Sequence, residues 1–164
     1  MLDPADITHT GFVVDDVEAS MAEMTDVFDL TWAPLTRLDM RLRFADGVRE
    51  VAMTFTYSVQ EPHLELLASV PGTPWVRGHA PDPIGMQAAH HVGLWSDDVA
   101  AESAALEASG APRLVTYDHA GEGALGFAYH RLPSGLLVEL VDRAREPDFE
   151  RWYAGGSFVP AAAD

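Results

Sequence analysis

The chain contains no cysteine, which removes disulfides and thiolate metal ligands from consideration. Basic residues are scarce, 10 against 26 acidic ones, and the formal charge is −16. A field of that sign repels phosphate backbones, so nucleic acid is not an expected partner. An anionic small molecule would need a local offset to this field, for which Arg37, Arg41, Arg43 and Arg49 are the candidates. No apolar run approaches the ~20 residues that cross a bilayer. The opening MLDPADITH has neither the basic nor the apolar stretch of a secretory signal. The expectation is a cytoplasmic protein with no membrane contact. What is present is 48% hydrophobic residues, with 13 Gly and 11 Pro spread along the chain. That suits a compact fold of one domain, or two small repeats sharing a core.

The chain repeats itself. HTGFVVDDVEA at 9–19 and HVGLWSDDVAA at 91–101 share the pattern H-x-G-x-x-x-D-D-V-x-A at one constant offset of 82 residues. HLELL at 63–67 and LVELV at 137–141 then each set a glutamate inside an apolar strand. Ile7 to Val14 reads as a buried β-strand. Asp15 and Asp16 stop it and offer an N-cap. Val17, Met21, Met24, Val27 and Phe28 recur at helical spacing and define one apolar face. In the second copy Asp97 and Asp98 lead into a helix over Val99–Ser109, which Gly110 ends.

Three strands follow each helix, roughly 37–44, 48–58 and 62–69, then 112–117, 124–131 and 135–142, with Pro133-Ser134-Gly135 as a turn. The expected organisation is a first βαβββ module at 6–69, a Pro/Gly-rich connection at 70–87, a second module at 88–143 and an aromatic tail at 144–164. The fold class is α+β.

Four residues stand out from the repeat. His9 and His91 are equivalent, as are Glu65 and Glu139. A carboxylate amid apolar neighbours is costly to bury unless it is paired, protonated or bound to a cation. A single strand histidine is ordinarily a hydrogen-bonded core residue, but the repeat supplies two at matched places. Two imidazoles and two carboxylates suit one divalent transition metal, Ni, Co, Fe, Mn or Zn. His90 is the rival to His91 and is expected to face the other side of the strand. His63 shares the face of Glu65 and is a candidate outer or substrate group. Glu139 or Glu65, freed from the ion, are candidate bases, with Asp46, Glu50, His63 and His130 as alternatives. Trp32, Met53, Phe55, Trp95, Phe127 and Tyr129 are candidates to line an apolar cavity.

These residues carry a resemblance. ITHTGFVVDDV and HHVGLWSDDV, with HLELL and LVELV, resemble the vicinal oxygen chelate superfamily over about residues 6–143. That superfamily includes glyoxalase I, bleomycin-binding proteins and extradiol dioxygenases. The resemblance implies paired βαβββ modules forming a curved, cup-like mixed sheet around a metal, usually within a homodimer. The order His9, Glu65, His91, Glu139 is similar to the glyoxalase I- and methylmalonyl-CoA epimerase-like branch. FADGV, with Ala45 and Asp46, stands where epimerase-like chains offer a glutamate, and no glutathione-binding arginine is recognisable. The implied activity is that of a lyase or isomerase. It would chelate adjacent oxygens of a small substrate and stabilise an enolate during proton transfer. A three-ligand Fe(II) ring-cleaving dioxygenase and a non-catalytic binding or resistance protein are the alternatives.

Overall fold

A computed structural model describes residues 2–77 and 89–161. Two successive βαβββ units make up the chain. The first is β1 (Ile7–Val14), α1 (Val17–Phe28), β2 (Thr36–Phe44), β3 (Gly47–Tyr57) and β4 (His63–Ala68). The second is β5 (His91–Ser96), α2 (Val99–Ala108), β6 (Arg113–Tyr117), β7 (Phe127–Arg131) and β8 (Leu137–Asp142). A turn of 3-10 helix (Pro4–Asp6) precedes them, and a second (Arg143–Arg145) with α3 (Glu146–Tyr153) follows. Every expected strand is present within a few residues. β7 starts at Phe127 rather than 124 because Gly126 turns the chain through φ 70°. Much of the 70–87 connection lies outside the described residues.

The expected cup is closed into a barrel with the order β1-β4-β3-β2-β6-β7-β8-β5. Within each unit the first strand runs parallel to the fourth. The two units meet at antiparallel seams, β1 with β5 and β2 with β6.

The repeated residues do repeated structural work at those seams. Asp16 and Asp98 each accept the backbone N–H three residues on, at 2.9 Å, and so start α1 and α2. Asp15 and Asp97 instead pair with Arg77 and Arg143. Val17 and Val99 anchor their helices on the outside of the sheet. The face expected of α1 is shorter than its spacing suggests. Met21 and Met24 pack beside Phe12 and Leu66, whereas Val27 and Phe28 are carried out into solvent by the last turn.

Strand alternation then decides what points inward. Glu65 and Leu67 face the interior while Leu66 faces α1; Glu139 and Val141 face it while Val138 and Leu140 face α2. Phe149, Trp152 and Phe158 of the C-terminal segment join the same interior cluster. The Trp152 indole donates to Pro34 O at 2.8 Å, which pins α3 to the barrel. No helix among the described residues is long and apolar enough to cross a membrane.

Candidate metal centre

Two rungs of the barrel build the site. Across one, Tyr57 pairs with Glu65, Glu65 with Gly11 and Gly11 with His91. Across the other, Tyr129 pairs with Glu139, Glu139 with Gly93 and Gly93 with His9. Each rung therefore reads Tyr-Glu-Gly-His, and the two are related by the internal repeat. The glycine is the space into which the histidine ring folds. A Cβ on Gly11 would lie 1.8 Å from His91 Cε1, and a Cβ on Gly93 would lie 1.8 Å from His9 Cε1.

The four donors converge. His9 Nε2 lies 2.9 Å from Glu139 Oε2, 3.1 Å from His91 Nε2 and 3.7 Å from Glu65 Oε2. His91 Nε2 lies 2.9 Å from Glu65 Oε2 and 3.3 Å from Glu139 Oε2. All four residues are buried, and their ligand atoms fall within 4.8 Å of one another. An ion ~2.1 Å from each donor would space neighbouring ligands by roughly 3.0–3.4 Å; four of the five separations are 2.9–3.3 Å and the fifth is 3.7 Å.

Hydrogen bonds behind the rings fix which nitrogen faces inward. His90 Nε2 lies 2.9 Å from Pro74 O, which can only accept, so Nε2 carries the proton. Burial lowers the His90 pKa and keeps that ring neutral. Its bare Nδ1 therefore accepts from His91 Nδ1–H at 3.0 Å. The Thr8 hydroxyl donates to Gly93 O at 3.4 Å and accepts from His9 Nδ1–H at 2.7 Å. Both rings then present Nε2 to the cluster, as metal-binding histidines do. Two facing lone pairs 3.1 Å apart favour a cation between them, whether a proton or a metal. Glu65 Oε2 sharpens this, since it is buried and makes no properly directed hydrogen bond despite its nearness to His91.

The titration behaviour agrees. Burial alone would lower the His91 pKa, but the Glu139 and Glu65 carboxylates outweigh it and raise it to about 9. Burial opposes ionisation of Glu139, yet hydrogen bonds from His9 and His91 hold its pKa at about 2. Burial first, and the two carboxylates second, push the Tyr57 and Tyr129 hydroxyls well above their ordinary range. Their oxygens lie 3.3 Å from His9 Nε2 and 3.2 Å from His91 Nε2. They stay protonated beside the cluster.

The remaining sequence candidates divide. Met53, Phe55, Phe127 and Tyr129 line a cavity of about 50 Å³ together with Glu65 and Glu139. At ~10–15 Å³ per water, that is room for a few small groups. Trp95 and His63 instead line a wider groove of about 800 Å³ on the far side of His9. His63 Nδ1 bonds Ser58 O at 2.8 Å and its ring stacks on Tyr153. Trp32 lies outside the barrel by α1.

His130 is not brought to the site. It neighbours the inward Tyr129 and so points outward, where Nδ1 bonds Ala111 O and Nε2 bonds Ser103 Oγ, both at 2.9 Å. Asp46 is exposed and paired with Arg49, and Glu50 is exposed on β3. The arginine cluster is also committed: Arg41 and Arg43 to Asp118, Arg37 to Glu18 and Arg49 to Asp46. Sequence reading missed Tyr57 and Tyr129 as neighbours of the histidine nitrogens, although strand alternation already placed each on its glutamate's face. It also missed His90 as the partner of His91 and Arg145 in the cavity wall.

His90→Phe should therefore keep the fold but weaken metal binding ~10–100-fold, the usual effect of losing an outer partner. A competition titration against a chelator measures this, and unchanged affinity would refute the assigned tautomer.

A buried N2O2 cluster inside a duplicated βαβββ barrel defines a protein class, and the comparisons give it a family. The chain belongs to the Glyoxalase/Bleomycin resistance protein/Dioxygenase superfamily, which it matches over residues 8–129. No curated protein matches it. Among solved structures it is similar to a variant of methylmalonyl-CoA epimerase from Streptomyces coelicolor bound to 2-nitronate-propionyl-CoA. That pair shares 21% identity over 85% of this chain and 97% of the other, with a TM-score of 0.51. The Mycobacterium tuberculosis methylmalonyl-CoA epimerase is 16% identical over 87% and 92% of the two chains, with a TM-score of 0.51. A hypothetical protein of Bacillus halodurans is 15% identical over 84% and 93%, with a TM-score of 0.54. At these identities the likeness concerns the fold.

Proposed function

We propose that this protein is a divalent-metal-dependent isomerase or lyase that moves a proton next to a carbonyl in a small substrate with adjacent oxygens. The observation that carries the reading is the convergence of four buried ligand atoms, with His9 Nε2 and His91 Nε2 turned inward between two carboxylates and each Nδ1 engaged behind its ring. His9, Glu65, His91 and Glu139 would hold the ion. When bound, it supplies a Lewis acid that polarises a substrate carbonyl and makes the neighbouring C–H acidic.

The chain's own residues do the rest. Glu139 Oε2 lies in hydrogen-bond geometry with His9 Nε2 at 2.9 Å, whereas Glu65 Oε2, though 2.9 Å from His91 Nε2, has no directed bond. Glu65 is thus the carboxylate freer to turn and take a proton, and Glu139 the one that stays. Tyr57 and Tyr129, kept protonated by burial and by the carboxylates, offer O–H donors to negative charge as it grows on the substrate oxygens. The apolar wall of Met53, Phe55, Leu67 and Phe127 excludes water that would otherwise compete for these donors.

The similar Streptomyces coelicolor epimerase variant is bound to 2-nitronate-propionyl-CoA. A nucleotide phosphate tail fits this chain poorly, given a charge of −16 and Arg37, Arg41, Arg43 and Arg49 already paired with carboxylates. The reading here is a substrate that carries no such tail.

Exchange of a substrate α-proton with deuterated water tests the proposal, using short 2-hydroxy and 2-oxo acids and their esters with the metal-loaded protein. Exchange that is lost in Glu65→Gln while the metal is retained supports it. Oxygen uptake with catechols and no α-exchange would replace it with ring cleavage.

A further inference from the structure

Five buried side-chain polar atoms among the described residues lack a hydrogen-bond partner, and three of them belong to residues lining the cavity beside the metal cluster. Glu65 Oε2 would be satisfied by the proposed ion. The other two, Arg145 Nε and Trp75 Nε1, are both donors, and the indole sits beside the Tyr129 hydroxyl without a directed bond to it. They come from segments outside the two modules: Trp75 from the connection and Arg145 from the turn between β8 and α3.

Arg145 is 8% exposed, and no carboxylate among the described residues pairs with it. Its Nη2 donates to Val159 O, and its guanidinium lies 5.2 Å from the Phe149 ring centre and 5.1 Å from that of Phe158. Aromatic faces, one carbonyl and the neighbouring Tyr117 hydroxyl orient a guanidinium but do not neutralise it. A buried cation without a counter-charge is costly, and it is odd in a chain where carboxylates outnumber bases by 26 to 10. The economical explanation is that its counter-ion arrives with the ligand.

Resting on the metal-dependent reading above, we propose that Arg145, assisted by the Trp75 indole, binds a carboxylate at the far end of the substrate from the chelating oxygens. The substrate class is then a short acid of about four or five carbons, with a hydroxyl or oxo group beside one carboxyl and a second carboxylate at the other end. The small cavity limits the size. Arginine sets the charge, and its two-pronged N–H edge matches a carboxylate. The protein's negative field keeps out longer polyanions, and the buried Arg145 guanidinium admits a single short one.

Calorimetric titration of the cobalt-loaded protein with malate and with 2-hydroxybutanoate tests this. The two probes share the chelating 2-hydroxy acid and differ in the second carboxylate. Malate should bind at least ~10-fold more tightly. Arg145→Gln should erase that ratio, bringing malate down to 2-hydroxybutanoate while leaving the latter and the cobalt content unchanged. Trp75→Phe should lower the ratio partway, and Arg145→Lys should keep part of it. The Trp75 and Lys variants also carry the test if the glutamine variant does not fold. Equal binding of the two probes by the wild type, or a ratio unmoved by these substitutions, would overturn the proposal. The metal reading fails separately, through absence of stoichiometric cobalt. The malate preference is then read on the metal-free protein with the same variants, where its presence supports the Arg145 site and its absence overturns it.

Discussion

Gly93→Ala should destroy the metal site and lower the melting temperature by roughly 5–10 °C, an unusually large effect for adding one methyl group to a strand. The added Cβ would lie 1.8 Å from Cε1, 2.3 Å from Nε2 and 2.4 Å from Nδ1 of His9. The ring cannot yield cheaply. It is 2% exposed, its Nδ1 is held by Thr8, and Tyr57 packs edge-on at 4.9 Å. Forcing a buried group from such a place costs ~1–3 kcal/mol, and in a domain of this size each kcal/mol is ~2–4 °C. The displaced ring also takes one ligand out of the cluster, so metal affinity should fall far more steeply than stability. Gly11→Ala should do the same through His91. Gly123→Ala is the control, because its added methyl would meet nothing closer than 3.4 Å and its φ is unremarkable. Thermal melts with and without added cobalt, beside metal titrations, read both effects. A Gly93→Ala protein that binds metal as the wild type does would mean that the rings are not seated over the glycines.

Those glycines show where the sequence was legible and where it stopped. The pattern H-x-G-x-x-x-D-D-V-x-A announced that six positions mattered, and four of them have local jobs readable from spacing alone: a capping aspartate, an acidic neighbour, a helix anchor and the alanine whose N–H is capped. The glycine's job is not local. It follows from the antiparallel register that sets Gly11 opposite His91 and His9 opposite Gly93, and no periodicity within one strand reports which strand lies across the seam. The same holds for barrel closure, where β1 meets β5 and β2 meets β6. Alternation did reach further than it was taken. It puts Tyr129 inside and therefore His130 outside, the observation that removes His130 from the list of bases. Arg145 was illegible for a different reason. Arg145 stands in a mixed-charge stretch between Arg143 and Glu146, and only the packing of Phe149 and Phe158 around it makes it a buried cation. All four candidate ligands come from one chain, so the site as built needs no residue from a second copy.

The second large effect is expected at the cluster itself. His91→Ala and Glu139→Gln should each weaken metal binding by more than ~100-fold, beyond the 10–100-fold that loss of an outer partner costs. They should differ in what they do to the protein stripped by a chelator. There the folded pKa of His91 is raised to about 9 from an ordinary 6.5, so its contribution to stability is complete below about pH 6.5. That contribution is lost as pH rises through about 9. Glu139 has the opposite sign. Its pKa is held at about 2 against an ordinary 4.5, so its contribution is present above about pH 4.5 and lost as pH falls through about 2. The stripped wild type should therefore be most stable between about pH 4.5 and 6.5. His91→Ala should remove the decline toward pH 9, and it leaves Glu65 without its nearest cationic neighbour at 2.9 Å. Breaking a buried pair in that way is expensive, ~3–5 kcal/mol. Glu139→Gln should flatten the decline toward pH 2 and cost less, because Glu65 still faces His91. Metal content by mass spectrometry and melts across pH 3–10 separate these outcomes. Full metal occupancy in both variants would show that the four residues are an ion-pair network and not a metal site. An alkaline decline that survives His91→Ala would show that its imidazole is not the cation between the two glutamates.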